Sequence, residues 1–196
     1  MNTVRVVLID DEVHVLAALV RVLRQGLDTA PRSLAIETYG DPRVALARLQ
    51  ERAVDLVICD YRMPGLDGVS LLSRVALSHP DTARVLLTGS PDLQAVLAAV
   101  NSAGVSHVLL KPWDDAELLA VAHGCLRVRD ARLEQQRLAD ASRHASGTLS
   151  AQELERRRLE AQWPGITQVE WTADGAVQFG DTGLAPLDPQ MPHEKR

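Results

Sequence analysis

Five polar residues stand at the points where apolar runs of the sequence end. Asp10 and Asp11 follow the first run, and Asp60, Thr88 and Lys111 follow later ones. Three carboxylates that converge in a partly desolvated cleft repel one another. A hard divalent cation with oxygen ligands, Mg²⁺ before others, relieves that repulsion. The lysine ammonium and the threonine hydroxyl are donors suited to an anionic oxygen. The five residues therefore predict a site for Mg²⁺ and an anionic group.

The elements that must position these residues alternate between apolar runs and helical segments over the first 125 or so residues. The candidate strands are residues 4–9, 34–39, 54–59, 85–87 and 105–110. Runs without polar alternation are typical of strands buried on both faces of a parallel sheet. Five strand–helix repeats predict a doubly wound α/β domain with helices on both faces. In such sheets ligands bind beyond the carboxyl ends of the strands, where all five polar residues fall.

Local signals mark the ends of the helices. Asp41 and Ser90 are each followed by proline, which predicts an N-cap and a first helical residue. Asp114 begins a capping box with the glutamate three residues later. The first helix is predicted over residues 12–25, with Gly26 as its stop.

The composition changes after Cys125. Residues 127–146 are polar and helix-prone, and they predict a continuation of the last helix up to a break near 146–149. Leu119, Leu126 and Leu133 are seven residues apart, but Asp140 interrupts the repeat and too few heptads are present for a coiled coil.

Shorter elements are predicted beyond the break. Ser150 opens another capping box and a charged helix that ends at 163–165, where tryptophan, proline and glycine follow one another. Residues 166–171 and 176–179 flank Asp174 and Gly175, a hairpin signal. The predicted divisions are a domain at 1–127, a helical and hairpin extension at 128–180, and a flexible tail at 181–196.

The order of the polar motifs resembles the receiver domain of two-component response regulators over roughly residues 4–127. Residues 60–68, Asp-Tyr-Arg-Met-Pro-Gly-Leu-Asp-Gly, are similar to the phospho-acceptor loop of that family. The resemblance implies a flavodoxin-like five-stranded sheet. It also implies that Asp60 accepts a phosphoryl group from a histidine kinase or a phosphotransfer protein, and that Thr88 and Lys111 bind the phosphoryl oxygens.

The resemblance further implies which residues hold Mg²⁺. These are Asp10, Asp11, Asp60 and the backbone carbonyl of Arg62. One position departs from the family, which usually has tyrosine or phenylalanine three residues before the lysine, because Val108 stands there. A valine has no aromatic ring to swing inward on activation. Residues 102–115 are similar to receivers found ahead of cyclic-di-GMP phosphodiesterase domains.

Composition excludes several other classes. A net charge of −5 and 3% aromatic residues argue against a single-stranded nucleic-acid binder. Cys59 and Cys125 are too few for a disulfide scaffold or a four-thiolate zinc site. No apolar run is long enough for a membrane span, and no signal-peptide pattern precedes Asp10, so a cytoplasmic protein is expected. Residues 142–196 offer too little for a DNA-binding unit, and no output enzyme domain is seen.

Three functions follow from these observations. The first is a receiver that is phosphorylated and acts through protein–protein contacts with an unidentified downstream partner, with a homodimer left open. The second is a receiver-fold scaffold or dimerisation module that does not use phosphorylation. The third, an aspartate-nucleophile phosphohydrolase, is disfavoured because Arg62 stands where such enzymes want a second acid.

Overall fold

Strands and helices alternate along the chain in the computed structural model, which describes residues 2–27, 32–89, 104–146, 150–162, 170–171 and 177–178. The strands are β1 (Asn2–Ile9), β2 (Arg32–Tyr39), β3 (Leu56–Asp60), β4 (Ala83–Thr88), β5 (His107–Leu110), β6 (Glu170–Trp171) and β7 (Val177–Gln178). The helices are α1 (Val13–Leu27), α2 (Pro42–Glu51), α3 (Gly68–Ser78), α4 (Asp115–Ala145) and α5 (Ala151–Gln162).

Strands β1 to β5 form one parallel sheet in the order β2-β1-β3-β4-β5. The predicted doubly wound α/β fold is confirmed. Every residue of β3 and of β4 is buried, as their unbroken apolar runs indicate. The strands β1, β2 and β4 are longer than the apolar runs, because backbone pairing with a neighbouring strand extends beyond the apolar residues. β1 and β2 each begin two residues before their runs.

Two hydrophobic cores cover the two faces of this sheet. Alternate residues of β1 point to opposite faces, so that Val6 and Leu8 join one core while Val7 and Ile9 join the other. Helices α1 and α4 close the first core, and α2 and α3 close the second. Val108 is half-buried against the second core.

Two of the predicted caps are confirmed by their hydrogen bonds. The Asp41 carboxylate accepts from the backbone N–H of Arg43 at 2.8 Å. The Asp114 carboxylate accepts from the N–H groups of Ala116 and Glu117 at 2.8 and 3.1 Å. The cap predicted at Ser90 lies outside the described residues.

The predicted stop of α1 at Gly26 is wrong. The helix continues through this residue to Leu27, and Gly26 has no positive φ. A Cβ at Gly26 would lie 2.3 Å from Cδ2 of Leu119 in α4. Glycine is therefore required because helices α1 and α4 pack closely at this position. In the sequence alone, a glycine required by close packing looks the same as a glycine that ends a helix.

The last helix of the sheet domain continues past residue 127, as predicted, and ends at Ala145. Its 31 residues span about 46 Å at 1.5 Å per residue. Leu118, Ala122 and Leu126 are its buried residues, so the leucines at seven-residue spacing lie on the side that packs against the domain.

The elements beyond α4 agree with the local signals where they are described. The Ser150 hydroxyl accepts from the N–H of Glu153 at 3.1 Å and caps α5. Strands β6 and β7 pair antiparallel. The predicted end of α5 at 163–165, the turn at Asp174 and the tail at 181–196 lie outside the described residues. No helix in the described part of the chain has the length and apolar character that a membrane span requires.

Candidate functional site

Four of the predicted site residues lie at neighbouring strand ends on the carboxyl edge of the sheet. Asp10 follows β1, and Asp60 and Thr88 are the last residues of β3 and β4. Lys111 follows β5, and its backbone N–H donates to the Thr88 carbonyl at 2.8 Å. Parallel pairing places these ends side by side, so residues far apart in sequence meet at one edge.

The Lys111 ammonium joins the two buried aspartates. Its Nζ lies 2.6 Å from Oδ2 of Asp10 and 2.5 Å from Oδ1 of Asp60. Asp10 is completely buried and Asp60 is nearly so. Lys111 therefore lies between the two carboxylates and contacts both of them.

Backbone N–H groups orient the remaining carboxylate oxygens. The N–H of Glu12 donates to Oδ1 of Asp10 at 2.9 Å, and the N–H of Arg62 donates to Oδ2 of Asp60 at 2.7 Å. Each buried aspartate is thus held by the residue two positions later. The side chain of Asp11 is exposed, and the structure does not bring it into this hydrogen-bonded group.

The protonation equilibria reflect this arrangement. Burial raises the pKa of the Asp10 carboxyl above its usual value, and the hydrogen bond from Lys111 opposes that shift. Burial disfavours the charged ammonium of Lys111, but its hydrogen bonds to Asp10 and Asp60 outweigh this and raise the pKa of the lysine. Burial also raises the pKa of the neighbouring Cys59 thiol, which donates to the Asp60 carbonyl at 3.3 Å.

The site carries an unbalanced negative charge. Two buried carboxylates share one ammonium, and a divalent cation with oxygen ligands would offset the excess. Within the described residues, no three Asp, Glu, His or Cys side chains are already grouped as metal ligands. The donor chemistry of Asp10, Asp60, exposed Asp11 and the Arg62 carbonyl nevertheless fits Mg²⁺, which is commonly bound through one or two carboxylates and keeps several waters.

A pocket of about 180 Å³ opens beside the Asp60 carboxylate. Asp60, Tyr61, Arg62, Thr88 and Gly89 line it. Thr88 is buried, and it lines the same pocket as the aspartate. The pocket is wide enough for a small anionic group at Asp60.

The loop after Asp60 is shaped by two glycines. Gly65 has a φ of +83°, a conformation that favours glycine. A Cβ at Gly68 would lie 2.0 Å from the Asp60 carbonyl oxygen, so only glycine fits where α3 begins. Asp67 caps α3 by accepting from the N–H of Ser70 at 2.9 Å. The loop therefore returns to pack against the Asp60 carbonyl at the residue where α3 begins.

Sequence reasoning missed one acidic neighbour of the site. Oε1 of Glu12 lies 3.7 Å from Nζ of Lys111. Its position directly after the acidic pair was the available signal. The Arg62 guanidinium lies over the Tyr61 ring, with Cζ 5.8 Å from the ring centroid.

The comparisons with known proteins all identify response regulators or receiver domains as similar to this chain. The family model for the response regulator receiver domain matches residues 6–123. The cyclic di-GMP phosphodiesterase response regulator RpfG of Xanthomonas campestris pv. campestris is 32% identical over 192 residues, which cover 96% of this chain and 47% of that protein. The hydrogenase transcriptional regulatory protein HoxA of Cupriavidus necator is 32% identical over 133 residues, which cover 68% of this chain and 26% of that protein.

This chain therefore spans from about a quarter to about half of the length of these two curated relatives. Among solved structures, it is similar to the signal receiver domain of an HD domain-containing protein from Pseudomonas fluorescens Pf-5. The sequence identity is 34% and the TM-score is 0.61, over 68% of this chain and 94% of that one.

Proposed function

The chain belongs to the response regulator receiver family, and on that premise we propose that Asp60 accepts a phosphoryl group from the phosphohistidine of a histidine kinase or phosphotransfer protein. The observation that carries the proposal is the Lys111 ammonium, which lies 2.5 Å from Asp60 and 2.6 Å from Asp10. Asp60 itself lines an open pocket. Buried charge of this kind is typical of functional sites.

In the proposed transfer, an oxygen of the Asp60 carboxylate attacks the phosphorus atom. The new O–P bond forms as the P–N bond to the donor imidazole breaks, and the nitrogen keeps the electron pair. Such transfers depend mainly on positioning and on electrostatic stabilisation. The N–H of Arg62 holds Oδ2 of Asp60, which leaves Oδ1, beside Lys111, as the oxygen that attacks.

The phosphorylated aspartate carries a new charge of about −1.5 to −2. Lys111 then donates to a phosphoryl oxygen in place of the carboxylate oxygen that now belongs to the acyl phosphate bond. The hydroxyl of Thr88, a residue that lines the same pocket, donates to another phosphoryl oxygen. Mg²⁺, held by Asp10, Asp11, Asp60 and the Arg62 carbonyl, would neutralise charge on the transferred group when bound.

The proposed output is a set of protein–protein contacts. Movement of Thr88 would alter the surface next to β4 and β5, since Lys111 is bonded to the Thr88 backbone. Because Val108 has no ring to swing inward, we expect a smaller change at this surface than an aromatic residue would give. We further propose that the receiver comprises residues 1–127 and that 128–180 form an accessory interaction element.

The test is phosphorylation of the full chain by acetyl phosphate with Mg²⁺, followed by intact mass. The wild-type protein should gain one phosphoryl group, and Asp60→Asn should gain none. Asp67→Asn is the matched control, because Asp67 lies on the same loop but serves only to cap α3, and it should be labelled normally. EDTA should abolish phosphorylation of the wild-type protein and of Asp67→Asn.

An adduct that persists in Asp60→Asn, or that forms equally well in EDTA, would contradict the assignment. If the wild-type chain takes no phosphoryl group from acetyl phosphate or from a phosphorylated phosphotransfer protein, the scaffold function replaces this one.

A further inference from the structure

Glu12 is a third carboxylate beside the ammonium of Lys111. Its Oε1 atom lies 3.7 Å from Nζ of Lys111, which Asp10 and Asp60 contact at 2.6 and 2.5 Å. The exposed fraction of the side chain is 51% for Glu12, against 0% for Asp10 and 8% for Asp60. Glu12 therefore lies at the solvent-exposed margin of the site, whereas the two aspartates lie inside it.

Hydrogen bonds fix the backbone of Glu12. Its N–H donates to Oδ1 of Asp10 at 2.9 Å, and its carbonyl accepts from the N–H groups of Val15 and Leu16 at 3.0 and 3.2 Å. The last two bonds close the first turn of α1, shortly after β1 ends. None of these bonds involves the side chain of Glu12, so this side chain can be changed while the backbone bonds that shape the site remain.

The two oxygens of the Glu12 carboxylate face different partners. Oε1 faces Lys111, and Oε2 lies 3.3 Å from Nε2 of His14, whose side chain is exposed on α1. A lysine ammonium has three N–H donors, of which Asp10 and Asp60 take two. In the described part of the chain, Glu12 supplies the one further carboxylate that pairs with Lys111. The third N–H of Lys111 is therefore available to Glu12 or to an oxygen of an incoming group.

Negative charge at this place acts in opposite directions on the two ligands of the proposed function. It attracts a divalent cation bound by the neighbouring aspartates, and it repels a phosphoryl donor, which is an anion. The carboxylate also competes with the donor for the third N–H of Lys111. Because Glu12 is half exposed, water and salt screen its charge, so we expect each effect to be several-fold in size.

We propose that Glu12 is a positioning residue for Lys111, and that it makes the site favour Mg²⁺ at the expense of the phosphoryl donor. Its carboxylate attracts the third N–H of Lys111 and adds negative charge beside Asp10 and Asp60. When a donor enters, that N–H has to leave Glu12 before it can donate to a phosphoryl oxygen, which slows the transfer that Lys111 assists. The proposal rests on the function proposed for Asp60 and names a residue that sets the rate of that transfer.

The first experiment measures the dissociation constant of Mg²⁺ for the full, unphosphorylated chain by NMR titration. The amide of Arg62 is the reporter, since its N–H donates to Asp60. Glu12→Gln keeps the size of the side chain and removes its charge, so Kd should rise about threefold to fivefold. The matched control is Glu51→Gln at the end of α2, where a glutamate is also exposed, and it should leave Kd unchanged. An unchanged Kd in Glu12→Gln would overturn the proposal.

The second experiment measures the rate of phosphorylation by acetyl phosphate at a Mg²⁺ concentration that saturates each variant. Glu12→Gln should be phosphorylated about threefold to fivefold faster at low donor concentration, because the donor is repelled less and the third N–H of Lys111 is released. Glu12→Asp keeps the charge and should stay within about twofold of the wild type. Added salt should reduce the difference between Glu12→Gln and the wild type, since exposed charges are screened.

The signs of the two effects separate this role from a structural one. A variant that merely disturbed the site would bind Mg²⁺ more weakly and would also be phosphorylated more slowly, and that result for Glu12→Gln would overturn the proposal. If the wild-type chain takes no phosphoryl group, the function proposed for Asp60 fails, and the Mg²⁺ titration alone still decides whether Glu12 favours the cation.

Discussion

Both ends of the central sheet hold clusters of acidic and basic side chains, but the clusters differ in burial and in how their charges match. At the carboxyl edge, Asp10 and Asp60 share the single ammonium of Lys111. At the amino edge, Arg129 pairs with Asp55 and also with Asp130, and Arg132 pairs with Asp81.

Several polar groups at the amino edge also form hydrogen bonds with backbone atoms. The second oxygen of Asp55 accepts from the N–H of Arg5 at 2.6 Å. The buried Arg84 donates to the carbonyls of Thr82 at 2.6 Å and Gly104 at 3.1 Å. Burial lowers the pKa of Arg84, but not enough to remove the charge of a guanidinium.

The difference separates a structural cluster from a chemical one. Paired and hydrogen-bonded charges at the amino edge connect α4 to the sheet. The excess negative charge at the carboxyl edge, beside an open pocket, leaves that cluster able to take a cation and an anionic group.

The largest expected effect comes from removing the shared cation. Lys111→Met leaves two buried carboxylates without their partner, so we expect the free energy of unfolding to fall by about 3 kcal/mol. Urea unfolding measures it. The control Arg132→Met removes a more exposed cation from the amino edge and should cost less than about 1 kcal/mol. Equal losses for the two variants would show that the edges do not differ.

A smaller loss is expected at the amino edge. Asp55→Ala removes the nearer of two carboxylate partners of Arg129 and the acceptor of the Arg5 N–H, so the free energy of unfolding should fall by about 2 kcal/mol. Labelling of the chain by acetyl phosphate should continue, because the carboxyl edge is intact. A variant that remains folded but cannot be labelled would show that the two edges are coupled.

At the carboxyl edge, removing one of the excess negative charges should not reduce the free energy of unfolding. Asp10→Asn keeps the shape of the side chain and removes one of two buried carboxylates, so in EDTA the stability should stay level or rise by up to about 1 kcal/mol. Phosphoryl labelling with Mg²⁺ should fall sharply. Loss of stability in Asp10→Asn, as large as that in Asp55→Ala, would contradict the charge argument.

The smallest effect is a pH dependence at His79, which follows α3 near the amino edge. Burial lowers the pKa of His79, while its Nε2 hydrogen bond to the Leu49 carbonyl opposes this. Its Nδ1 is buried without a hydrogen-bond partner among the described residues.

Above about pH 6.5 histidine is neutral in both the folded and the unfolded chain, so His79 adds no pH dependence. As the pH falls below that value, the unfolded chain binds the proton first and stability is lost, until the lower folded-state pKa is passed. His79→Gln should remove up to about 1 kcal/mol of the decline in unfolding free energy between about pH 7.5 and pH 5.5. Urea unfolding at both pH values measures this. An unchanged slope would exclude His79 as the source.

Local patterns in the sequence predicted much of this molecule. The buried strands follow from apolar runs, and the caps at Asp41, Asp114 and Ser150 follow from side chains that bond to their own next turn. The alternation of strands and helices also places Asp10, Asp60, Thr88 and Lys111 at one edge, because all strands of a parallel sheet end there.

Other features depend on contacts between distant residues. The role of Gly26 depends on Leu119 of another helix. Asp55 and Asp81, which pair with Arg129 and Arg132, lie more than fifty residues earlier in the chain than these arginines. No local signal distinguishes such arginines from solvent-exposed ones.

The sequence by itself determined which residues can do chemistry and on which edge they lie, since residue type and strand period are local properties. Only the tertiary structure decided that Lys111 bridges Asp10 and Asp60, while the side chain of Asp11 stays exposed. It likewise decided which side of α4 remains open, because that depends on how the helix packs. A helix has the same period on every face, and only packing against the sheet distinguishes the buried face from the open one.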